Sequence, residues 1–189
     1  KKISELKLTN AKKNNLIAIK KPVFPFDKFP KQNIFLSPEM KSTGEVIGLD
    51  YKFGHAFAKA EIGAGNKLPK EGTVFISVND SDKIKVIALA RDMEELGFSI
   101  ISTIGTARLL NDNGIIVKEV YKVGEGRPNI VDHIKNNDVD LIINTPFGGK
   151  AREDEYEIGR AAIRYKIPAF TTISGAKSVI RAIRSLKGN

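Results

Sequence analysis

The chain has no cysteine among its 189 residues. Disulfides and thiolate-bound metals are therefore excluded. Histidine is scarce too, with His55 and His133 alone. Neither falls at the end of an expected strand, so both are read as structural. No apolar run is long enough to cross a bilayer, and no signal-peptide pattern opens the chain. No membrane partner is expected, and the cytoplasm is the expected location. The first residue is Lys1 rather than methionine, so a processed, trimmed or excised piece is expected. Arginine is missing from the first 70 residues, which carry 14 lysines and 6 acids. Residues 71–189 carry 17 basic and 16 acidic residues. The net charge of +9 is thus an excess of the front segment. The larger part is nearly neutral, so no nucleic-acid partner is expected, and an anion site there has to be local.

What is present divides into two unlike halves. Residues 1–50 offer one strand candidate, Leu16–Ile19, followed by Pro22, Pro25, Pro30 and Pro38. Prolines at that density disfavour helix and confine strand to edges. Phe24, Phe26 and Phe29 need a partner surface that this segment does not supply. Residues 51–71 hold a connector. Phe53, Ala56, Phe57 and Ala60 follow helical spacing over Tyr51–Ile62, and Gly63–Asn66 ends that helix.

From residue 72 to 189 the pattern is regular. Strands are predicted over Thr73–Val78, Phe98–Ser102, Ile115–Val120, Leu141–Asn144 and Ala169–Thr172. Helices are predicted from the capping run Asn79–Asp82 to Leu96, and over Thr106–Asn113, Asn129–Asn136, Arg152–Tyr165 and Gly175–Leu186. Alternation of this kind implies a parallel sheet, and near-continuous apolar strands imply helices on both faces. The expected fold is a five-stranded, doubly wound α/β sandwich.

Ligands of such sheets bind beyond the carboxyl ends of the strands. Lys83 follows the first strand, Thr103-Ile104-Gly105-Thr106 the second, Lys122 the third and Asn144-Thr145 the fourth. Gly105 permits close backbone approach, the threonine hydroxyls donate, and the following helix adds free N–H groups. Each residue also has a plain alternative: Thr106 as a helix cap, Lys83 as a solvated helix residue, Lys122 as a loop lysine, Asn144-Thr145 as a turn before Pro146. Their convergence on one rim favours a small anionic ligand, with no acid, base or nucleophile beside it. Glu153-Asp154-Glu155 reads as a solvated first helical turn. Arg127 either faces the ligand or pairs with an acid. No metal site is expected.

Several of these runs resemble the carbamoyl-phosphate synthase large-subunit family. Glu39–Gly48, Val23–Phe26, Lys28–Pro30 and the helix Phe53…Ala56-Phe57…Lys59-Ala60 are similar to the exit from its second ATP-grasp unit. Lys122-Val123…Glu125–Pro128 and Ile142–Thr145 are similar to its carboxy-terminal domain, of methylglyoxal-synthase-like, Rossmann-type fold. The resemblance implies an ATP-grasp tail over residues 1–50, a linker over 51–71 and a regulatory domain over 72–189. It implies no catalysis in this chain and no cofactor. For the whole ligase of pyrimidine and arginine biosynthesis it implies ATP, magnesium or manganese, and potassium. The implied partners are a nucleotide effector such as UMP or IMP, the rest of the large subunit, and a glutaminase small subunit. The family's phosphate-binding positions carry over to Lys83, Thr103, Thr106, Lys122, Asn144 and Thr145. Pro146 stands where some members have threonine. Phe170 stands before Thr171, where members that bind ornithine often have an acid.

Two other readings differ in class. A methylglyoxal synthase needs a carboxylate near the third-strand loop and a histidine after the fourth strand. Glu125-Gly126-Arg127 and Pro146–Asp154 supply neither in the expected form. An interaction module docking through residues 1–70 would bind no nucleotide at all.

Overall fold

A computed structural model describes residues 15–24, 44–145 and 153–188. Pro25, Phe26, Lys28–Pro30, Pro38, Glu39–Thr43, Pro146 and Arg152 lie outside the described residues. The front segment holds two strands, β1 (Ile17–Val23) and β2 (Gly44–Asp50), paired antiparallel. Sequence reading places a strand at Leu16–Ile19 and none at Gly44–Asp50. The glycines of that second run hide it, yet Gly48 has a packing reason.

The helix α1 (Phe53–Gly63) follows. It lies between the ribbon and the last helix, α6 (Ile173–Lys187). Both contacts need glycine. A Cβ on Gly48 would stand 2.0 Å from the Ala56 carbonyl oxygen, and one on Gly54 would stand 2.4 Å from the Arg181 carbonyl oxygen. Bare backbone thus sets both approaches, and α1 is clamped on two sides.

The main sheet has five parallel strands: β3 (Gly72–Ser77), β4 (Phe98–Thr103), β5 (Val117–Val120), β6 (Leu141–Asn144) and β7 (Ala169–Phe170). Their spatial order is β5-β4-β3-β6-β7. Val74, Phe75 and Ile76 of the central strand are all fully buried. That continuous apolar run is what a parallel strand covered on both faces requires.

Helices α2 (Lys83–Glu95), α3 (Ile104–Asp112) and α6 cover one face. Their core includes Val74, Ile76, Leu89, Met93, Leu110 and Ile180. Helices α4 (Ile130–Lys135) and α5 (Glu153–Arg164) cover the other, over Phe75, Ile142, Ile134 and Ile158. The doubly wound three-layer sandwich is therefore as the alternation of elements implies. No helix among the described residues is long and apolar enough to cross a membrane.

Differences from expectation fall at element ends and have local causes. The strand expected from Ile115 starts at Val117. The Asn111 side chain accepts from Val117 N–H and donates to its carbonyl, which occupies that end. β7 stops at Phe170, because the Thr172 hydroxyl caps α6 by accepting from Gly175 N–H at 3.0 Å. α3 begins at Ile104 with Thr103 at its N-cap position. Thr106 therefore is not a cap and lies inside the first turn. Asn79 does cap, accepting from Asp82 N–H across a 3-10 turn, Asp80–Asp82, ahead of α2. Both histidines are tied locally. His55 Nε2 lies 3.2 Å from the Ser185 carbonyl and His133 Nδ1 lies 3.0 Å from Asp138.

Candidate functional site

β3 and β6 are neighbours although the chain leaves β3 toward β4. This is the switch point at which an open parallel sheet parts its connections and leaves a crevice. Ser77 ends β3 and Asn144 ends β6, paired in register. Above them opens a recess of about 350 Å3, counting the solvent at its mouth. Ser77, Thr103, Lys122, Asn144 and Thr145 line it from four strand ends, and Asp154, Glu155 and Ile158 line it from α5.

Thr103 sits at the N-cap of α3 but makes no side-chain cap bond. Its hydroxyl instead lies 3.2 Å from the Ser77 hydroxyl. Among the described residues the first-turn N–H groups of α3 therefore lack a side-chain cap, and the helix end is suited to an anion. Beneath them Ser102 donates to the Ile76 carbonyl, which ties β4 to β3 at the floor.

Thr145 is buried, and its oxygen is already engaged. It accepts from Asn79 N–H at 3.1 Å and from the Asn79 side-chain amide at 3.2 Å. Its own N–H donates to the Ser77 carbonyl at 3.0 Å. Thr145 braces the wall more than it offers groups to the interior. Nearby, Asp82 is held below its usual carboxylate range. The hydrogen bond from Lys85 is the chief cause, assisted by Asn79 and Thr145 and opposed by burial.

The two expected lysines differ. Lys83 Nζ lies 2.6 Å from Asp80 Oδ1. It also stands 3.9 Å from where a Cβ on Gly105 would be, so it reaches the start of α3 from outside the recess. Lys122 is half-buried in the lining and has no carboxylate within ion-pair distance among the described residues. Thr106 is buried in the first turn of α3 beside Ala107 and does not line the recess. Arg127 is turned toward Asp132 at 3.9 Å rather than toward the recess.

Thr103, Lys122, Asn144 and Thr145 thus come together, while Lys83 stands at the rim and Thr106 behind it. Two groups escape the sequence reading. Ser77 could have been found as a polar residue closing an apolar strand. Asp154 and Glu155 give no such signal, because an acidic first turn is ordinary on any solvated helix. Among the described residues no group of three or more acids or histidines is close enough to hold a metal ion.

Residues 85–171 match the family model of the MGS-like domain. The carbamoyl phosphate synthase large chain of Nostoc is 49% identical over 187 residues, covering 99% of this chain and 17% of that one. The chain is a homologue of the carbamoyl phosphate synthase large chain. The relative in Aquifex aeolicus, named as the C-terminal section of that large chain, is 46% identical over 93% of this chain and 33% of its own length. The chain therefore spans between about a sixth and a third of these relatives. The solved methylglyoxal synthase of Elizabethkingia anophelis shares the fold at 17% identity, with a TM-score of 0.50 over 60% of this chain and 79% of that one.

Proposed function

We propose that the chain is the effector-binding part of a carbamoyl phosphate synthase large subunit and takes a phosphorylated nucleotide, such as UMP or IMP, in the recess. The observation that carries this is Lys122, a half-buried lysine beside Ser77, Thr103 and Asn144 with no carboxylate in ion-pair distance among the described residues. A lysine at a switch point that forms no ion pair with Asp154 or Glu155, the acids lining the same recess, is matched by an anion from outside. The uncapped end of α3 supports the same assignment.

Charge also orders the ligand within the site. Asp154 and Glu155 repel phosphate from the α5 side. They accept hydrogen bonds from hydroxyls instead, which a ribose supplies. The phosphate belongs near Thr103 and Lys122, and the sugar near α5.

In the intact subunit, residues 1–50 form the end of an ATP-grasp unit, 51–71 the connector and 72–189 the regulatory domain. ATP, magnesium or manganese, potassium and the glutaminase subunit belong to the whole cytoplasmic ligase, whose output feeds pyrimidine and arginine synthesis. Its regulation by the nucleotide passes through this chain.

Calorimetry with UMP, IMP and inorganic phosphate tests the assignment. The nucleotides should bind about tenfold more tightly than phosphate, one hydrogen bond to a charged group accounting for the margin. Absence of binding by both nucleotides would overturn it. The carboxylates of Asp154 and Glu155 favour one second reading, proton abstraction from a phosphorylated ketose. Methylglyoxal formed from dihydroxyacetone phosphate would establish that reading instead.

A further inference from the structure

The Nζ of Lys21, on β1, lies 2.5 Å from each carboxylate oxygen of Glu61. Glu61 is 2% exposed near the end of α1. Its Oε2 also accepts from Asn66 Nδ2 at 2.6 Å. On its other side the same ammonium stands 6.0 Å from the ring centroid of Phe170, on β7. One cation thereby joins the ribbon, α1 and the edge of the main sheet.

Phe170 is not free to move alone. Its ring lies 6.3 Å from that of Phe57 on α1. A Cβ on Gly175 would come within 3.4 Å of its Cδ1, so the first turn of α6 lies beside the ring. In the sheet it pairs in register with Ile143 of β6. The residue after Ile143 is Asn144, which lines the recess. The path from Lys21 to the recess is one ring and one strand pairing.

A buried carboxylate stripped of its cation is strongly unfavourable, because among the described residues only the Asn66 amide is left to it. The ribbon therefore cannot ease away from α1 by degrees. It is either engaged, with Lys21 on Glu61, or released. We infer that Lys21 and Glu61 form a latch coupling the position of the β1–β2 ribbon to the edge strand β7 and, through it, to β6, whose end lines the recess. The release of one end then loosens the other, and the coupling is reciprocal.

Amide hydrogen exchange of the chain without ligand tests this, and its outcome does not depend on what the recess binds. Lys21→Met should speed exchange about tenfold over residues 17–23. It should also speed exchange about threefold over 141–145 and 169–170, leaving 98–103 and 117–120 at the parent rate. Phe170→Leu approaches from the opposite end, keeps apolar volume and leaves the ion pair in place. It should speed exchange at 17–23 about two- to threefold through loss of the cation–π contact. The latch is overturned if Lys21→Met acts on 17–23 alone or on all strands equally. It is equally overturned if Phe170→Leu leaves 17–23 at the parent rate.

Discussion

Lys21 and Lys122 face opposite situations at two corners of this molecule. Lys21 meets both oxygens of a buried carboxylate and an aromatic ring, and its charge is answered entirely from within. Lys122 stands among Ser77, Thr103 and Asn144 with no acid in ion-pair reach among the described residues. A fold stabilises its own cations by pairing them. The proposed effector site rests on Lys122 because this lysine is left unpaired in a concave lining. The same contrast runs through the glycines. Gly48 is pressed against α1 backbone, whereas Gly105 has nothing closer to a would-be Cβ than the tip of Lys83 at 3.9 Å. One glycine serves packing, and the other leaves space at the start of α3.

The largest effect should come from exchanging those two glycines for alanine. Gly48→Ala drives a methyl into the Ala56 carbonyl and the Ala60 amide, at 2.0 and 2.5 Å. Both are backbone atoms of α1 and cannot rotate aside. Urea denaturation should show a loss of about 3 kcal/mol. Gly105→Ala should stay within about 0.5 kcal/mol of the parent, because the added methyl meets only a flexible lysine end. Its effect should be confined to UMP binding. Equal stability of the two variants would erase the distinction between a packing and a site glycine.

Next in size is the loss of charge from the recess. Lys122→Met should leave thermal stability unchanged, since no internal pair is broken. It should weaken UMP binding by about 2 kcal/mol, the contribution of a hydrogen bond to a charged group in a partly enclosed site. A lowered melting temperature with unchanged affinity would move Lys122 from the ligand to the fold.

How much of this was legible beforehand depended on what each feature leaves in a sequence. The main sheet was readable because parallel strands buried on both faces are apolar throughout, as in Val74–Ile76 and Leu141–Ile143. Polar residues just after such runs mark the carboxyl-end rim of the sheet, where Thr103, Lys122, Asn144 and Thr145 line the recess. The caps were less readable: Thr103 and Thr106 both suit a helix start, and only the register of α3 distinguishes them. The acids of α5 were not readable as lining. Asp154 and Glu155 look like any solvated first turn, and their facing of the recess depends on where α5 packs on Phe75 and Ile142. β2 was hidden for a similar reason. Its Gly44 and Gly48 weaken strand propensity, and the need for Gly48 arises from α1, which comes later in the chain.

The smallest expected effect separates the ribbon corner from the recess by pH. Asp50 closes β2 and is held at about 2. The hydrogen bond from Lys59 is the main cause, and the Lys52 N–H adds to it. A carboxyl whose folded value lies below its unfolded value, near 3.9, stabilises the fold fully above that unfolded value. The contribution fades as pH falls from about 4 toward about 2, because the proton taken up releases Lys59. The Asp50→Asn variant lacks this dependence. Its urea midpoint should lie below the parent's at pH 6, and the two should converge as the pH approaches 2. Hydrogen exchange under the same acid should show loosening at residues 44–50 before any change at 98–103. Simultaneous loosening of both would mean that the ribbon and the sheet share one cooperative unit even without the Asp50 charge.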